Sequence, residues 1–180
     1  MLRLTIMVSG EQWDEIKEEF IPPKFQTIRL EHSLVSLSKW EAKWHKPFLD
    51  GKDKTPEQII DYVRCMTITQ NVNLDVYTRL TEGNLKDIND YIENPMTATT
   101  FSDINQTPSR EIITSEIIYY WMVAFNIPFE CQKWHLNRLL TLIRVCNIKN
   151  NPPKKMGRNE ILQRNKASYE ARKKKLNTKG

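Results

Sequence analysis

No residue from Ile117 to Phe125 is charged, and a helix that is apolar on every side has to be buried on every side, in a core or in a subunit contact. This run lies inside the segment Ile112 to Asn147, IITSEIIYYWMVAFNIPFECQKWHLNRLLTLIRVCN, whose second half is patterned differently. Leu136, Leu139, Leu140 and Ile143 fall at helical spacing while Lys133, Asn137, Arg138, Thr141 and Arg144 fill the other faces, which predicts an amphipathic helix. Between the halves stands Asn126-Ile127-Pro128. Asn tolerates the left-handed conformation that ends a helix, and Pro128 disfavours helical geometry at Ile127. The pattern predicts two helices joined by a tight turn, a central αα-hairpin around which the remainder is organised.

The 180 residues suit one core-bearing domain with an appendage. No stretch reaches the roughly 18 uncharged apolar residues of a membrane span, so no membrane partner is expected. The opening MLRLTIMVSGEQWDE lacks a small-residue cleavage site, so no signal peptide is expected and the cytoplasm is the expected compartment. Cys65, Cys131 and Cys146, an odd number in or beside apolar runs, fit reduced core thiols better than a disulfide framework. The net charge of +5 divides unevenly. Residues 150–180 hold ten Lys and Arg against Glu160 and Glu170, a local +8, so residues 1–149 carry −3. A mildly acidic body with a basic tail is the description that matters for partners.

Leu2, Leu4, Ile6 and Val8 alternate with Arg3, Thr5 and Met7, which predicts a short half-buried strand, and Ile28 and Leu30 predict a second. Two short strands need helices or another chain to pack on. Between them, Ser9 with Gln12 reads as a helix cap ahead of Trp13, Ile16 and Phe20, with Pro22-Pro23 as the stop. Ser38-Lys39-Trp40-Glu41 reads as a capping box for a helix carrying Trp40 and Trp44. Thr55-Pro56-Glu57-Gln58 opens a helix whose buried stripe is Ile59, Ile60, Val63 and Met66. Asn71 to Tyr77 fits strand or loop equally. Leu85 to Ile92 predicts a short helix after a Thr81-to-Asn84 turn, and Thr107-Pro108 is the expected cap of the hairpin's first helix, after a loop from Met96 to Gln106.

Together these signals predict a mainly α, α+β fold: residues 1–149 form a helix-rich globular domain, the αα-hairpin at its centre and a small β element at its N-terminus. Residues 150–180 form a Pro-containing linker and a basic C-terminal helix or tail. Pro152-Pro153 keeps the linker extended. In the tail Leu162, Tyr169 and Leu176 recur every seven residues, a seam too thin to hold a helix without a docking partner.

Catalysis needs convergent polar groups, and the chain shows no Gly-rich phosphate loop, no paired-His motif and no GxSxG, so no catalytic residue, cofactor or enzymatic activity is expected. Cys131 and His135 share a helical face in this reading and amount to half a zinc site, with no second half, so no metal is expected. Tyr119, Tyr120, Trp121, Trp134, His135 and Arg138 are the candidate interaction residues of the hairpin, with Leu162, Tyr169 and Leu176 in the tail. The aromatics read as core or interface, because base-stacking platforms interleave basic residues and Ile117 to Phe125 has none. The basic set Lys154, Lys155, Arg158, Arg172, Lys173, Lys174 and Lys175 has three readings: neutralising nucleic-acid phosphates, docking as a helix on an acidic partner, or solvating the chain end.

The string LEHSLVSLSKWEAKWHKPF from Leu30, the Thr55-Pro56-Glu57 helix start, EIITSEIIYYWMVAFNIPFECQKWHLNRLLTLIRVCNIKN and the PPKKM…RN…ARKKKLNTKG ending resemble the tail assembly chaperones of tailed bacteriophages. Trp134-His135-Leu136-Asn137-Arg138-Leu139 is a specific string within the resemblance. Such proteins are encoded between the major tail protein and the tape-measure protein, in many phages with a longer frameshifted product. The resemblance implies a non-catalytic role in the host cytoplasm, coating the tape-measure protein, self-associating, then giving way to tail-tube subunits. Two alternatives stand beside it: a structural virion protein of the head, neck or baseplate, and a nucleic-acid-binding accessory protein acting through the basic tail, with nucleic acid the less favoured partner.

Overall fold

The alternation at the N-terminus forms the expected strand, β1 (Leu2–Ser9), with Leu4 and Ile6 buried and Arg3, Thr5 and Met7 facing solvent. β4 (Lys24–Leu30) runs antiparallel to it and buries Ile28 and Leu30 completely. On the outer face Thr5 and Thr27 stand opposite each other and share a 3.0 Å hydroxyl hydrogen bond. The computed structural model describes residues 1–16, 18–101, 112–150 and 158–176.

The helix expected from Ser9 does not form. A second two-stranded sheet takes its place, β2 (Gln12–Asp14) antiparallel to β3 (Glu19–Ile21), with Trp13 opposite Phe20 and their rings edge-to-face at 4.8 Å. The Asp14 side chain accepts from the Ile16 N–H at 3.0 Å, an Asx turn at the tip. The reason lies in the neighbouring ladder. Ser9 pairs with Lys24, so the chain enters and leaves this stretch as two adjacent strands, and continued pairing outcompetes the Ser9 cap.

α1 (Leu34–Trp44) starts earlier than the Ser38 box implies, because Ser33 and Ser36 form the reciprocal capping box instead. Trp40 is buried, Trp44 half-buried, and His45 ends the helix at φ 51°. α2 (Pro56–Met66) starts at the expected Thr55 and Gln58 box. Its stripe is rotated: Tyr62, Val63 and Met66 are buried and Ile60 half-buried, whereas Ile59 is exposed. The rotation follows from α1, whose Trp40 indole N–H donates to the Gln58 carbonyl at 3.0 Å and whose Lys43 and Trp44 hold Asp61, drawing polar residues of α2 inward. Within Asn71–Tyr77 the undecided stretch turns into the short α3 (Asp75–Thr78). α4 (Glu82–Glu93) is capped by Thr81 with Asn84 and turns Ile88 and Tyr91 inward.

Thr107-Pro108 and residues 102–111 lie outside the described residues. Residues 112–114 are not helical, so α5 (Ser115–Ala124) begins well after the expected cap. Its end follows the sequence: Asn126 sits at φ 52°, its N–H bonds to the Val123 carbonyl, and the Ile127 N–H reaches the Met122 carbonyl at 2.8 Å. That is a Schellman close, sealed by burial of Ile127 and Met122 in one cluster. The tight turn expected next is replaced by a 3-10 turn, Phe129–Lys133, before α6 (Leu136–Asn150) begins. Pro128 fixes the extended entry to that turn, and His135 bridges back to Ser33, which lengthens the connection. α7 (Arg158–Leu176) completes the described chain.

The architecture among the described residues is therefore α+β, with seven α-helices and two small two-stranded sheets. The chain divides into two compact units, Met1–Cys146 and Asn147–Gly180, with the boundary inside α6. In the first unit one apolar cluster joins β1, β4 and α2 to α3 and α4 through Leu30, Trp40, Met66 and Val76, and a second joins α1, α5 and α6 through Leu34, Leu37, Ile118, Met122 and Leu139. α1 serves both clusters. Its buried Glu41 accepts from the Phe48 N–H at 2.8 Å and from the Ser115 N–H at 2.7 Å, so a carboxylate from α1 caps the N-terminus of α5, where Thr114 makes no side-chain cap.

Candidate interaction surfaces

The uncharged run of α5 does not bury itself on every side. Ser115, Ile118 and Met122 face the second cluster, Tyr119 and Trp121 sit half-buried at its rim, and Tyr120 and Val123, three apart on the helix, are 68% and 60% exposed. Of the two burial modes open to that run, the core takes one face and leaves the other outside. The Tyr119 hydroxyl donates to Gln132 at 2.9 Å, and its ring lies 6.4 Å from that of Phe129, which is itself exposed. Trp134 is half-buried with the Arg138 guanidinium 4.2 Å over its ring, while Arg138 is otherwise exposed.

His135 is not a surface residue. It is buried, its Nε2 donates to the Tyr91 carbonyl at 3.0 Å, and its Nδ1 accepts from the Asn137 N–H at 3.3 Å, an assignment that requires the neutral ring with its proton on Nε2. Burial lowers its proton affinity below the usual histidine range, with the Tyr91 hydrogen bond opposing. Cys131 belongs to the 3-10 turn and His135 follows it in extended backbone, so the two do not share a helical face as the sequence suggested. His135 meets instead the ring of His32 at 5.2 Å. Nδ1 of His32 lies 2.6 Å from the Tyr62 hydroxyl, and burial, helped by His135, pushes its pKa down to about 3. Leu136 N–H donates to the His32 carbonyl at 2.7 Å, and the Tyr91 hydroxyl to Glu31 at 2.5 Å. These groups stitch the two apolar clusters together with satisfied polar atoms, Glu31 also pairing with the N-terminal ammonium at 3.1 Å. The sequence singles out His135, for which a core or interface histidine is one reading, but not its partners His32 and Tyr91, which lie far from it along the chain.

One cleft of about 430 Å³ opens beside α1 and α2, with Lys39, Lys43, Asp61, Arg64 and Cys65 among its walls. Burial works to raise the Asp61 carboxyl, but hydrogen bonds from Lys43 and Trp44 and the charges of Lys43 and Arg64 outweigh it and hold the group below its ordinary range. Burial raises the Cys65 thiol, and Asp61 raises it further, which is the opposite of what a nucleophile needs. All three cysteines are free, and among the described residues no group of three or more His, Cys, Asp or Glu is placed to hold a metal ion. No described helix is long and apolar enough to cross a membrane.

The tail candidates stand in the open. Leu162, Tyr169 and Leu176 of α7 are 59%, 61% and 70% exposed, Arg172 and Lys175 are exposed and Lys173 is half-exposed. Arg158 and Lys174 belong to the α7 backbone with side chains outside the described set, and Lys154 and Lys155 lie outside the described residues altogether. The structure adds an apolar surface that the sequence reading had placed on a helix, the Trp13–Phe20 pair of the β2–β3 hairpin. No protein-family model, no curated protein and no solved structure matches this chain.

Proposed function

We propose that this chain is a non-catalytic tail assembly chaperone of a tailed bacteriophage, acting in the host cytoplasm on the tape-measure protein and handing it to tail-tube subunits. The motif resemblance suggests the role, and the observation that carries it is the divided face of α5. Ile118 and Met122 anchor the helix in the core, so Tyr120 and Val123 are presented on a braced element rather than on a loop. A chaperone for a long amphipathic helix needs such fixed apolar contacts with polar surroundings, repeated by self-association. In this reading Ile112 to Asn147 works as the central helical hairpin, with Trp134 and Arg138 at the rim of the contact.

Co-expression with the tape-measure protein of the same phage tests it. The wild-type chain is expected to co-purify with the tape-measure protein and keep it soluble, a Tyr120→Ala, Val123→Ala variant to lose that activity while staying folded, and purified virions to lack the chain. Recovery of the chain from virions in fixed stoichiometry would establish the structural-protein alternative, and tight DNA binding at physiological salt the nucleic-acid one.

A further inference from the structure

The β2–β3 hairpin exposes more apolar surface than so small an element can justify by itself. Trp13 is 51% and Phe20 65% exposed although they hold each other edge-to-face, and the directly opposed pair Met7 and Phe25 is 50% and 60% exposed. Around them the charge is one-sided. Glu11, Asp14, Glu15, Glu18 and Glu19 stand against Lys17 and Lys24 between Met7 and Phe25, and Glu11, Glu15, Glu18 and Glu19 join no ion pair among the described residues. α7 has the complementary character: seven basic residues against two acidic ones, and Leu162, Tyr169 and Leu176 exposed. A helix with no buried face gains little from propensity alone and is stabilised by docking. The lengths agree as well, since Leu162 to Leu176 spans about 21 Å of helix and Met7 to Trp13 at most about 20 Å of extended chain.

We propose that α7 of one copy docks on the acidic, aromatic β2–β3 hairpin of a second copy of this chain. Apolar anchors on both sides set the fit and opposite charges set the orientation and encounter rate. Because the two surfaces differ, the contact is heterologous, and repeated head to tail it carries association past the dimer, into an open chain or a closed ring. The contact does not depend on the tail-assembly reading, since the same residues carry it whatever the chain assembles with.

Sedimentation of the full chain tests this with two charge-preserving variants, Trp13→Ala with Phe20→Ala, and Leu162→Ala with Tyr169→Ala and Leu176→Ala. The wild-type mass is expected to climb with concentration past the dimer at low salt and to fall back in about 1 M salt. Each variant alone is expected to lose self-affinity on the order of tenfold or more. Their equimolar mixture is expected to form a dimer and stop there, because only one intact hairpin and one intact α7 remain to meet. A third variant, Glu15→Lys with Glu18→Lys and Glu19→Lys, leaves the aromatic pair in place and is expected to weaken association too, which guards against misfolding of the first. A wild type that stays monomeric at every concentration, either alanine variant associating like wild type, or a mixture of folded variants that stays monomeric overturns the proposal.

Discussion

The two halves of the N-terminal β arm are built by the same rule and reach opposite ends. In the proximal half, β1 and β4 pair antiparallel and Leu4, Ile6, Ile28 and Leu30 are covered, because α3 and α4 lie against β1 and the chain after β4 is tied to α2 by the Glu31 N–H to the Met66 carbonyl. In the distal half, β2 and β3 pair with an equally apolar couple, Trp13 and Phe20, and nothing in the first cluster reaches them. Antiparallel pairing makes a strand in both cases, but only a neighbouring layer turns an apolar side chain into core. The difference separates residues that hold the fold from residues left for a partner.

The largest effect should come from the proximal half. Leu30→Ala removes a completely buried side chain and is expected to cost about 2–5 kcal/mol in denaturant unfolding. A loss below about 1 kcal/mol would mean that the two halves do not differ as described. Glu41→Ala comes next, leaving the buried Ser115 N–H and the Phe48 N–H without their acceptor, with an expected cost of roughly 2–3 kcal/mol; Glu41→Gln, which keeps an acceptor oxygen, should cost less. The pH profile follows. His32 in the folded chain stays neutral down to about pH 3, whereas the unfolded chain takes up a proton below about pH 6.5. The unfolded state therefore binds more protons in this window, and stability, full above it, should fall by roughly 1 kcal/mol per pH unit as acid is added. His32→Gln should flatten that slope, and an unchanged slope would place the titrating group elsewhere. Smallest is the distal half, where Phe20→Ala should change stability by about 1 kcal/mol or less.

Much of this was legible in sequence wherever a signal is local. Thr55-Pro56 with Gln58 opened α2, Thr81 with Asn84 opened α4, Asn126 closed α5, and of the expected α6 stripe Leu136, Leu139 and Ile143 are buried and Leu140 half-buried. Misreadings arose where one pattern satisfies two periods or where a distant group decides. Trp13, Ile16 and Phe20 suit a helix face until the pairing of Ser9 with Lys24 is known. Two serine boxes competed for the start of α1, and the earlier one won because Ser33 also pairs with His135. Ile59 was displaced from the core by Asp61, whose partners lie on another helix. The cap of α5 could not be read locally, since it comes from Glu41. As for the interaction surfaces, the sequence marked Tyr120 in an uncharged run and Tyr169 in a basic tail, and only the packing shows which faces of α5 are already covered.

Hydrogen exchange of the full chain, followed by mass spectrometry from dilute to concentrated solution, tests the separation of core from partner surface most directly. Slow exchange in α1, α2 and α6 is expected at every concentration, with protection of β2–β3 and α7 rising together as concentration increases. Protection of β2–β3 and α7 that is independent of concentration, or that rises in the core helices instead, would contradict it.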